Sequence, residues 1–503
     1  MERFLKAATP RSHVRRHMKF LVGSASLLVG VFGAARSSAT TVITQMGSNI
    51  NAEADWDYSG SAVDMSGDGT TVIVGAMNNS VNGTNFGHAR VFRWINNSWA
   101  QLGNDIDGAN GGDKAGSAVA ISSNGNRVAV GSPRHSSSRG QVRIFDWNAA
   151  TTSWDIVGTS IVGTTNGEEF GKSVDISSSG HRIIVGQPEG AIGLIRAYEW
   201  SGSSWIQMGN DIVGPSGVGR FGNEVAMSSD GGVIAAITAP FQSSPIEEFN
   251  RGNVQVFRWS GTAWEQVGAD IRGELSTLIA NGDVALSADG LSVAVGFPRQ
   301  ERVRTYTWNG SSWQQRGTEL VGSNDDGYYG FKIEFAKNGD RIAIGGPWNS
   351  NSSGRVRVFD WDNASSAWVE TVNPIAGDVV STRGDELGHG IGMSSDGTRV
   401  AIGAPNNNGG HVRVYSLQSP QPDPEPDEQT SGNNPSSATT TTVASVVSSN
   451  SDSQASLSQS ETAPREKSLP AAGSKTQNPL WIALTVIGFA LLTISRRQKS
   501  PRC

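Results

Sequence analysis

The chain has 503 residues, of which 62 are glycine and only 17 % are charged, whereas average proteins contain roughly 7 % glycine and 25 % charged residues. Its single cysteine excludes an intramolecular disulfide and a cysteine-based zinc site, and its net charge of −6 argues against nucleic-acid binding. Abundant glycine, 15 tryptophans and few charges favour many short strands joined by tight turns.

Residues 1–39 are predicted to be a secretory signal peptide. Basic residues between 15 and 19 precede the apolar run 20–35, and the small residues 37–39 offer a cleavage site. Translation from Met18 instead of the first residue would give a more ordinary signal length. The protein is therefore expected to be exported.

A sevenfold repeat occupies residues 40–417. In each copy a β-branched run ends at an anchor that is Gly, or once Thr, and the anchors recur every 49–58 residues. The anchors are Gly75, Gly131, Gly186, Thr238, Gly296, Gly345 and Gly403. A period of this length suits the four-stranded blade of a β-propeller. The spacing thus predicts one seven-bladed domain.

Each copy contains four short strand signals with alternating polarity, here named a to d. In the third copy they are residues 173–177, 182–185, 194–200 and 205–208. Tight turns such as Asp68-Gly69 join a to b, since glycine supplies the positive φ of hairpin turns. Paired tryptophans such as Trp94 and Trp99 flank the c–d turn and are interpreted as packing between neighbouring blades.

The ends of the repeat array predict how the ring closes. A d-like strand at residues 42–47 precedes the first copy, and the last copy stops after its c strand at residues 412–415. The N-terminal strand can supply strand d of the seventh blade, which leaves no exposed sheet edge. The predicted fold class is therefore all-β: a seven-bladed β-propeller with four antiparallel strands per blade.

One face of this propeller is predicted to bind. Because strands alternate in direction, the a–b and c–d turns share one face, and the longer, variable b–c and d–a loops share the other, where binding residues usually lie. The d–a loops are acidic in six copies, and such carboxylates could hold a divalent cation or a basic partner, or could be ordinary solvated charges. The candidates are Glu53, Asp55, Asp57, Asp113, Glu168, Glu169, Asp325, Asp326, Asp385 and Glu386. No histidine accompanies these acids at a ligand-like spacing, so no metal site is assigned.

Catalytic residues are not apparent, and the protein is predicted not to be an enzyme. Lys172, Glu224, Asp283 and Glu334 fall on or beside a strands, which line the channel of a propeller. Acids and aromatics clustered there would favour an enzyme acting on extracellular polysaccharide, whereas salt bridges or a solvated wall are the structural alternative. The tripeptide Arg383-Gly384-Asp385 spells an integrin recognition sequence and is interpreted as a chance occurrence.

The repeats resemble the FG-GAP repeat of integrin-α-type propellers. The matching residues include Phe170-Gly171, followed by Gly186-Gln187-Pro188. This resemblance implies a propeller that serves in adhesion or ligand binding. The calcium loop of that family is not matched, because Ser228-Ser229-Asp230-Gly231 offers one carboxylate where calcium needs about 6–8 oxygen ligands. The Ser-x-Asp-Gly-x-x-Val turns also resemble TolB-type propeller repeats.

The propeller is followed by a predicted stalk. Residues 418–478 are rich first in proline and then in serine and threonine, with too little apolar content to fold. The segment 479–495 is apolar and the tail 496–503 is basic, which places the tail in the cytoplasm. The apolar run at residues 480–494 would span about 22 Å as a helix, less than the ~30 Å of a bilayer core.

The sequence Leu469-Pro470-Ala471-Ala472-Gly473, with the apolar segment and basic tail after it, resembles a sortase cell-wall sorting signal. Ala472 stands where that family's motif has threonine. The resemblance implies linkage to peptidoglycan through residue 472, and a type I membrane protein is the alternative. The leading hypothesis is a surface-anchored extracellular binding or adhesion protein with a glycan or protein ligand. An extracellular polysaccharide-acting enzyme and a structural surface-coat component are the alternatives.

Overall fold

The computed structural model describes residues 41–418 except for short gaps at residues 81–82, 191, 216–218, 240–251, 274–281, 324–325, 350–351 and 381–382. The predicted signal peptide, stalk, sorting motif, apolar segment and basic tail lie outside these residues. Within them, no helix has the length and apolar character needed to cross a membrane.

Seven antiparallel sheets form a propeller, which confirms the predicted fold class. In each blade the strands follow one another in the order a, b, c, d, with a innermost. The a strands are Ser59–Met65, Ala118–Ile121, Ser173–Ile176, Arg220–Met227, Val284–Leu286, Lys332–Phe335 and Gly390–Met393. The b strands are Thr71–Ala76, Arg127–Ser132, Arg182–Gln187, Val233–Ala239, Ser292–Phe297, Arg341–Gly346 and Arg399–Ala404. The c strands are His88–Ile95, Gln141–Asn148, Leu194–Trp200, Asn253–Trp259, Arg302–Trp308, Arg355–Asp362 and His411–Gln418.

The outer edge of each blade is interrupted. The d strands are Ser98–Gln101, Ser153–Ile156, Trp205–Gln207, Trp264–Gln266, Trp313–Gln315, Ala367–Glu370 and Val42–Gln45. After each of them a two-residue strand e pairs with the other half of the same c strand, a segment that the sequence analysis did not predict. The e strands are Ile106–Asp107, Ile161–Val162, Ile212–Val213, Ile271–Arg272, Leu320–Val321, Ile375–Ala376 and Ile50–Asn51. In six blades the connection between d and e turns at a glycine of positive φ, such as Gly103, and in blade 6 it contains Pro374, so the edge does not continue as one strand.

Three further short elements lie outside the blades' strands. Val379–Val380 pairs with Arg383–Gly384 in a small hairpin, His135–Ser138 forms a helical turn, and Pro298–Gln300 forms a 3₁₀ turn.

The N-terminal strand closes the ring as predicted. Val42–Gln45 pairs antiparallel with His411–Gln418, with Ile43 opposite Leu417. The chain therefore contributes its first described strand to its last blade, and that blade gains a complete outer edge.

The tryptophan pairs lie at blade boundaries. In blades 1 to 6 the two rings of each pair have centroids 5.2–5.4 Å apart. Trp99 Nε1 donates a 2.8 Å hydrogen bond to the carbonyl of Met46, and a Cβ on Gly47 would lie 2.9 Å from Trp94 Cζ3. Four further boundaries repeat this bond, from Trp154 to Leu102, Trp205 to Val157, Trp264 to Met208, and Trp313 to Val267. The interpretation as inter-blade packing is confirmed.

The hydrophobic core fills the gaps between blades. Strand b of the first blade is buried throughout and alternates between two neighbours. Val72 and Val74 pack with Val412 of blade 7, whereas Ile73 packs with Val128 of blade 2. Both faces of the inner strands are covered in this way, which explains their continuous runs of β-branched residues.

Candidate functional site

Four of the predicted acidic loop residues are buried and bonded within the chain. The carboxylates of Asp57, Asp113, Asp326 and Asp385 are at most 2 % exposed. Asp57 accepts a hydrogen bond from the Ala54 backbone N–H at 2.9 Å, and the other three accept comparable bonds from backbone N–H groups of their own d–a loops. These four carboxylates brace their loops.

The braced loops are also fastened to the b–c side of the blades. Asp326 lies 3.4 Å from Arg355 Nη1 and 3.2 Å from Arg357 Nη1. Asp113 lies 3.0 Å from His135 Nδ1. The structure thus places histidines beside loop acids that are distant from them in sequence. Asp113 and Asp326 therefore already have partners within the chain. Ligand binding at these loops remains a prediction.

The Arg383-Gly384-Asp385 tripeptide ends in one of these buried groups. The side chain of Asp385 is 0 % exposed and lies 3.1 Å from Arg413 Nη2. Its carboxylate is therefore not presented for recognition.

The remaining predicted acids are spread around the loops. Glu168 accepts hydrogen bonds from the backbone of Thr165 and from the side chain of Gln187 at 3.1 and 2.9 Å. Glu169 lies 3.7 Å from Arg134 Nε. Asp55 is exposed, Glu386 accepts a bond from Asn406 at 3.1 Å, and Asp325 lies outside the described residues. Glu53 lies in a group with His88 and Asp105.

The a strands line an axial channel that contains charged residues. A cavity of about 100 Å³ is lined by Asp64, Asp175, Asp283 and Glu334, together with Lys332 and Lys337. Asp283 and Glu334 were predicted here. Asp64 and Asp175 were not predicted to line the channel, although a Val-Asp pair recurs at the same position of copies 1 and 3.

Three channel aspartates join neighbouring blades. Asp64 Oδ1 accepts from the backbone N–H of Met65 at 2.7 Å, and its Oδ2 accepts from that of Ile121 in blade 2 at 2.8 Å. In the same way, Asp175 accepts from Met227 in blade 4, and Asp283 accepts from Ile333 in blade 6. These residues therefore link blades 1 and 2, 3 and 4, and 5 and 6.

The channel raises the pKa of Asp64 and Glu334. Burial, and then the neighbouring Asp175, raise the pKa of Asp64 to about 7. Burial, and then Asp64, raise the pKa of Glu334 well above its usual range, although Lys337 opposes this. Like charges in a confined, poorly solvated space cannot all ionise easily. The channel therefore holds protons that free carboxyls would release.

The channel opens on the face of the b–c and d–a loops into a cavity of about 400 Å³. Glu169, Lys172, Glu189, Arg220, Phe331 and His389 are among its lining residues. Lys172 and Glu224 were predicted to lie at the channel, and both line this mouth. The side chains that line the mouth differ between blades 2 and 3 on one side and blades 6 and 7 on the other.

Cations gather where blades 2 and 3 form the mouth. Lys172 has no ion-pair partner in the portion of the chain that the structure describes. Burial, and then Arg134 and Lys172, lower the pKa of the nearby Lys114, because neighbouring cations disfavour a further positive charge there. Glu169 is the acid among them. This side can therefore accept a further negative charge.

Aromatic rings form the mouth at blades 6 and 7. Phe331 lies 4.7 Å from Trp348 and 4.9 Å from His389 between ring centroids, and Tyr328 lies 5.2 Å from Trp348. Burial lowers the pKa of His389 to about 4, so this ring is neutral near pH 7. An aromatic wall, with Lys332 beside Phe331, thus shares the cavity with the cationic side.

No protein-family model and no curated protein sequence matches the chain. It is similar to solved propeller structures at low identity. Hydrazine synthase of Kuenenia stuttgartiensis is 13 % identical over 73 % of this chain and 98 % of its own, with a TM-score of 0.49. The Cps50 (Swd1) propeller domain of Myceliophteria thermophila is 11 % identical over 75 % and 100 %, with a TM-score of 0.46. The periplasmic gluconolactonase PpgL of Pseudomonas aeruginosa is 17 % identical over 65 % and 87 %, with a TM-score of 0.45. These similarities concern the fold and do not assign a function. The FG-GAP, TolB and sorting-signal resemblances remain predictions.

Proposed function

We propose that this protein is a cell-surface binding module that takes an acidic glycan in the mouth of its axial channel. The observation that carries the proposal is the 400 Å³ cavity in which the unpaired Lys172 faces the same space as Phe331 and His389. Its size lies within the usual range of ligand pockets, about 300–1,000 Å³. The predicted signal peptide and C-terminal anchor would present this face outside the cell.

The two sides of the mouth suit the two parts of an acidic sugar. An ammonium group forms a charge-assisted hydrogen bond with a carboxylate or sulfate. Aromatic faces offer flat apolar surface to the C–H groups of a sugar ring. Arg220 and Glu189, which are 2.8 Å apart, add exposed donors and acceptors for hydroxyl groups. A basic ligand would add a further cation beside Lys172, Arg134 and Lys114.

The runner-up is an enzyme that acts on extracellular polysaccharide, and the channel acids favour it. A carboxyl whose pKa is about 7, such as Asp64, can donate a proton near neutral pH. Binding is preferred because both oxygens of Asp64, and both of Asp175, already accept backbone hydrogen bonds. The space around them, about 100 Å³, is also much smaller than the mouth.

Titration calorimetry of the full chain with uronate-containing and neutral oligosaccharides tests this proposal. We expect Lys172→Ala to weaken binding of the acidic sugar at least tenfold. Arg258→Ala is the matched control, since Arg258 is an exposed cation near the opposite face. Equal binding by wild type and Lys172→Ala would overturn the proposal. Release of new reducing ends during the titration would favour the enzyme instead.

A further inference from the structure

A buried histidine lies beside two carboxylates near the junction of blades 7 and 1. His88 begins the c strand of blade 1 and is 1 % exposed. Glu53 comes from the loop that follows the closing strands of blade 7, and Asp105 comes from the connection between strands d and e of blade 1. The side chains of Glu53 and Asp105 are 34 % and 23 % exposed, which leaves a path from solvent.

The distances from His88 to the two carboxylates are too long for good hydrogen bonds. His88 Nδ1 lies 3.5 Å from Asp105 Oδ2 and 3.8 Å from Glu53 Oε2. Neither ring nitrogen of His88 has a hydrogen-bond partner in the described chain, although both are buried. A buried polar atom without a partner costs about 1–3 kcal/mol, so such atoms need an explanation.

In two other blades the equivalent position is closed by a direct hydrogen bond. In blade 4, Asn253 begins the c strand and donates to Asp270 at 2.9 Å. In blade 5, Arg302 begins the c strand and donates to Glu319 at 2.5 Å.

His411, which begins the c strand of blade 7, also has its Nε2 without a hydrogen-bond partner in the described chain and lies 3.7 Å from Asp385. Among the described residues, however, only the position of His88 brings two carboxylates and an imidazole within 4.8 Å of one another.

We propose that Glu53, His88 and Asp105 bind a first-row transition-metal ion, with Zn²⁺ as the occupant. Zinc bonds to imidazole nitrogen and carboxylate oxygen are about 2.0–2.2 Å long, so two ligands at a tetrahedral angle lie about 3.3–3.5 Å apart. The separations of 3.5 and 3.8 Å approach this spacing, and the three ligand atoms lie within 4.8 Å of one another. An imidazole ligand favours zinc over calcium or magnesium, which prefer oxygen.

The surrounding charges are consistent with a cation at this position. Burial, and then Asp105, raise the pKa of Glu53, because two carboxylates share a confined space. An ion between them would relieve this repulsion. Arg90 Nη1 lies 3.7 Å from Glu53 Oε1, whereas Oε2 is the oxygen that lies 3.8 Å from His88. Arg90 also donates through Nη2 to the Asn51 carbonyl at 2.7 Å. Arg90 can thus orient Glu53 and leave Oε2 for the metal.

The test is zinc binding by the full chain after treatment with a chelator. Competition with a chromogenic chelator would measure the equivalents of Zn²⁺ and their affinities in wild type, His88→Gln and Glu53→Gln. We expect each variant to lose one equivalent, or to bind it at least tenfold more weakly. His135→Gln is the matched control and should behave as wild type, because His135 is already paired with Asp113 at 3.0 Å.

Glu53→Gln keeps the test valid if His88→Gln fails to fold, because Glu53 is partly exposed and its replacement keeps the shape of the side chain. Replacement of Zn²⁺ by Co²⁺ gives a second readout, a visible absorption band that both variants should lose. Equal zinc equivalents in wild type and Glu53→Gln would overturn the proposal. So would a wild-type chain that binds no zinc.

Discussion

The indole nitrogen of Trp99 donates a 2.8 Å hydrogen bond to the carbonyl oxygen of Met46, and this bond fastens blade 1 to the strand segment that closes blade 7. Four other blade boundaries carry the same bond. The repeat therefore encodes not only each blade but also the attachment of each blade to the one before it.

Trp99→Phe is expected to lower the free energy of unfolding by about 1 kcal/mol more than Trp94→Phe does. Both changes reduce an aromatic ring, but only Trp99 donates an indole hydrogen bond within the described chain, and such a bond contributes about 1 kcal/mol. Denaturant unfolding of the two variants measures the difference. Equal losses would show that ring packing alone holds this boundary.

Gly47→Ala is expected to destabilise the propeller more than Gly112→Ala. Both glycines have positive φ, +71° and +86°, so alanine is strained at either position by about 1–3 kcal/mol. A Cβ at Gly47 would also lie 2.9 Å from Trp94, whereas nothing lies within 4 Å of one at Gly112. Thermal unfolding compares the two, and a larger shift for Gly112→Ala would contradict the clash.

Asp326→Ala is expected to destabilise the protein by about 2–3 kcal/mol, because it leaves Arg355 and Arg357 without their shared carboxylate. Asp55→Ala, at an exposed position, should change stability by less than about 0.5 kcal/mol. Denaturant unfolding provides the measurement. Unchanged stability of Asp326→Ala together with loss of cation or glycan binding would instead support the predicted acidic binding ring.

Ionisation of Asp64 is expected to lower the free energy of unfolding as the pH rises from about 4 to about 7. Its pKa is about 7 in the folded state and lies near 3.8 when the residue is solvated. The folded protein therefore binds more protons across this interval, and the free energy of unfolding falls with rising pH. Unfolding curves between pH 4 and pH 8 should show a weaker dependence for Asp64→Asn than for wild type. Parallel curves would mean that Asp64 ionises normally.

Much of this architecture could be predicted from the sequence because it repeats. The hairpin glycines, the Trp94 and Trp99 pair and the unmatched strands at the two ends follow from local patterns that occur many times. The short e strands were missed because two residues carry no periodicity, and the glycine before them looks like the end of strand d.

The site could be predicted only in part. The alternation of strand direction indicated which loops share a face. The positions of Asp283 and Glu334 on or beside a strands predicted that they lie at the channel. The sequence could not show that Asp57 and Asp326 are buried, since loop acids that brace a backbone look like solvated ones. Nor could the sequence show that His88 lies beside Glu53 and Asp105, because the three residues come from a c strand, a d–a loop and a d–e connection, and no local pattern links them.

The pairing of Val42–Gln45 with His411–Gln418 also constrains when the propeller can finish folding during synthesis. Val42–Gln45, the first strand that the structure describes, finds its partner only after the last blade has been made. Contacts between residues so distant in sequence form slowly, since a long loop must close before they contribute. The six intervening blades can assemble earlier, but an exported chain would acquire its final stability only after its passage through the membrane is nearly complete.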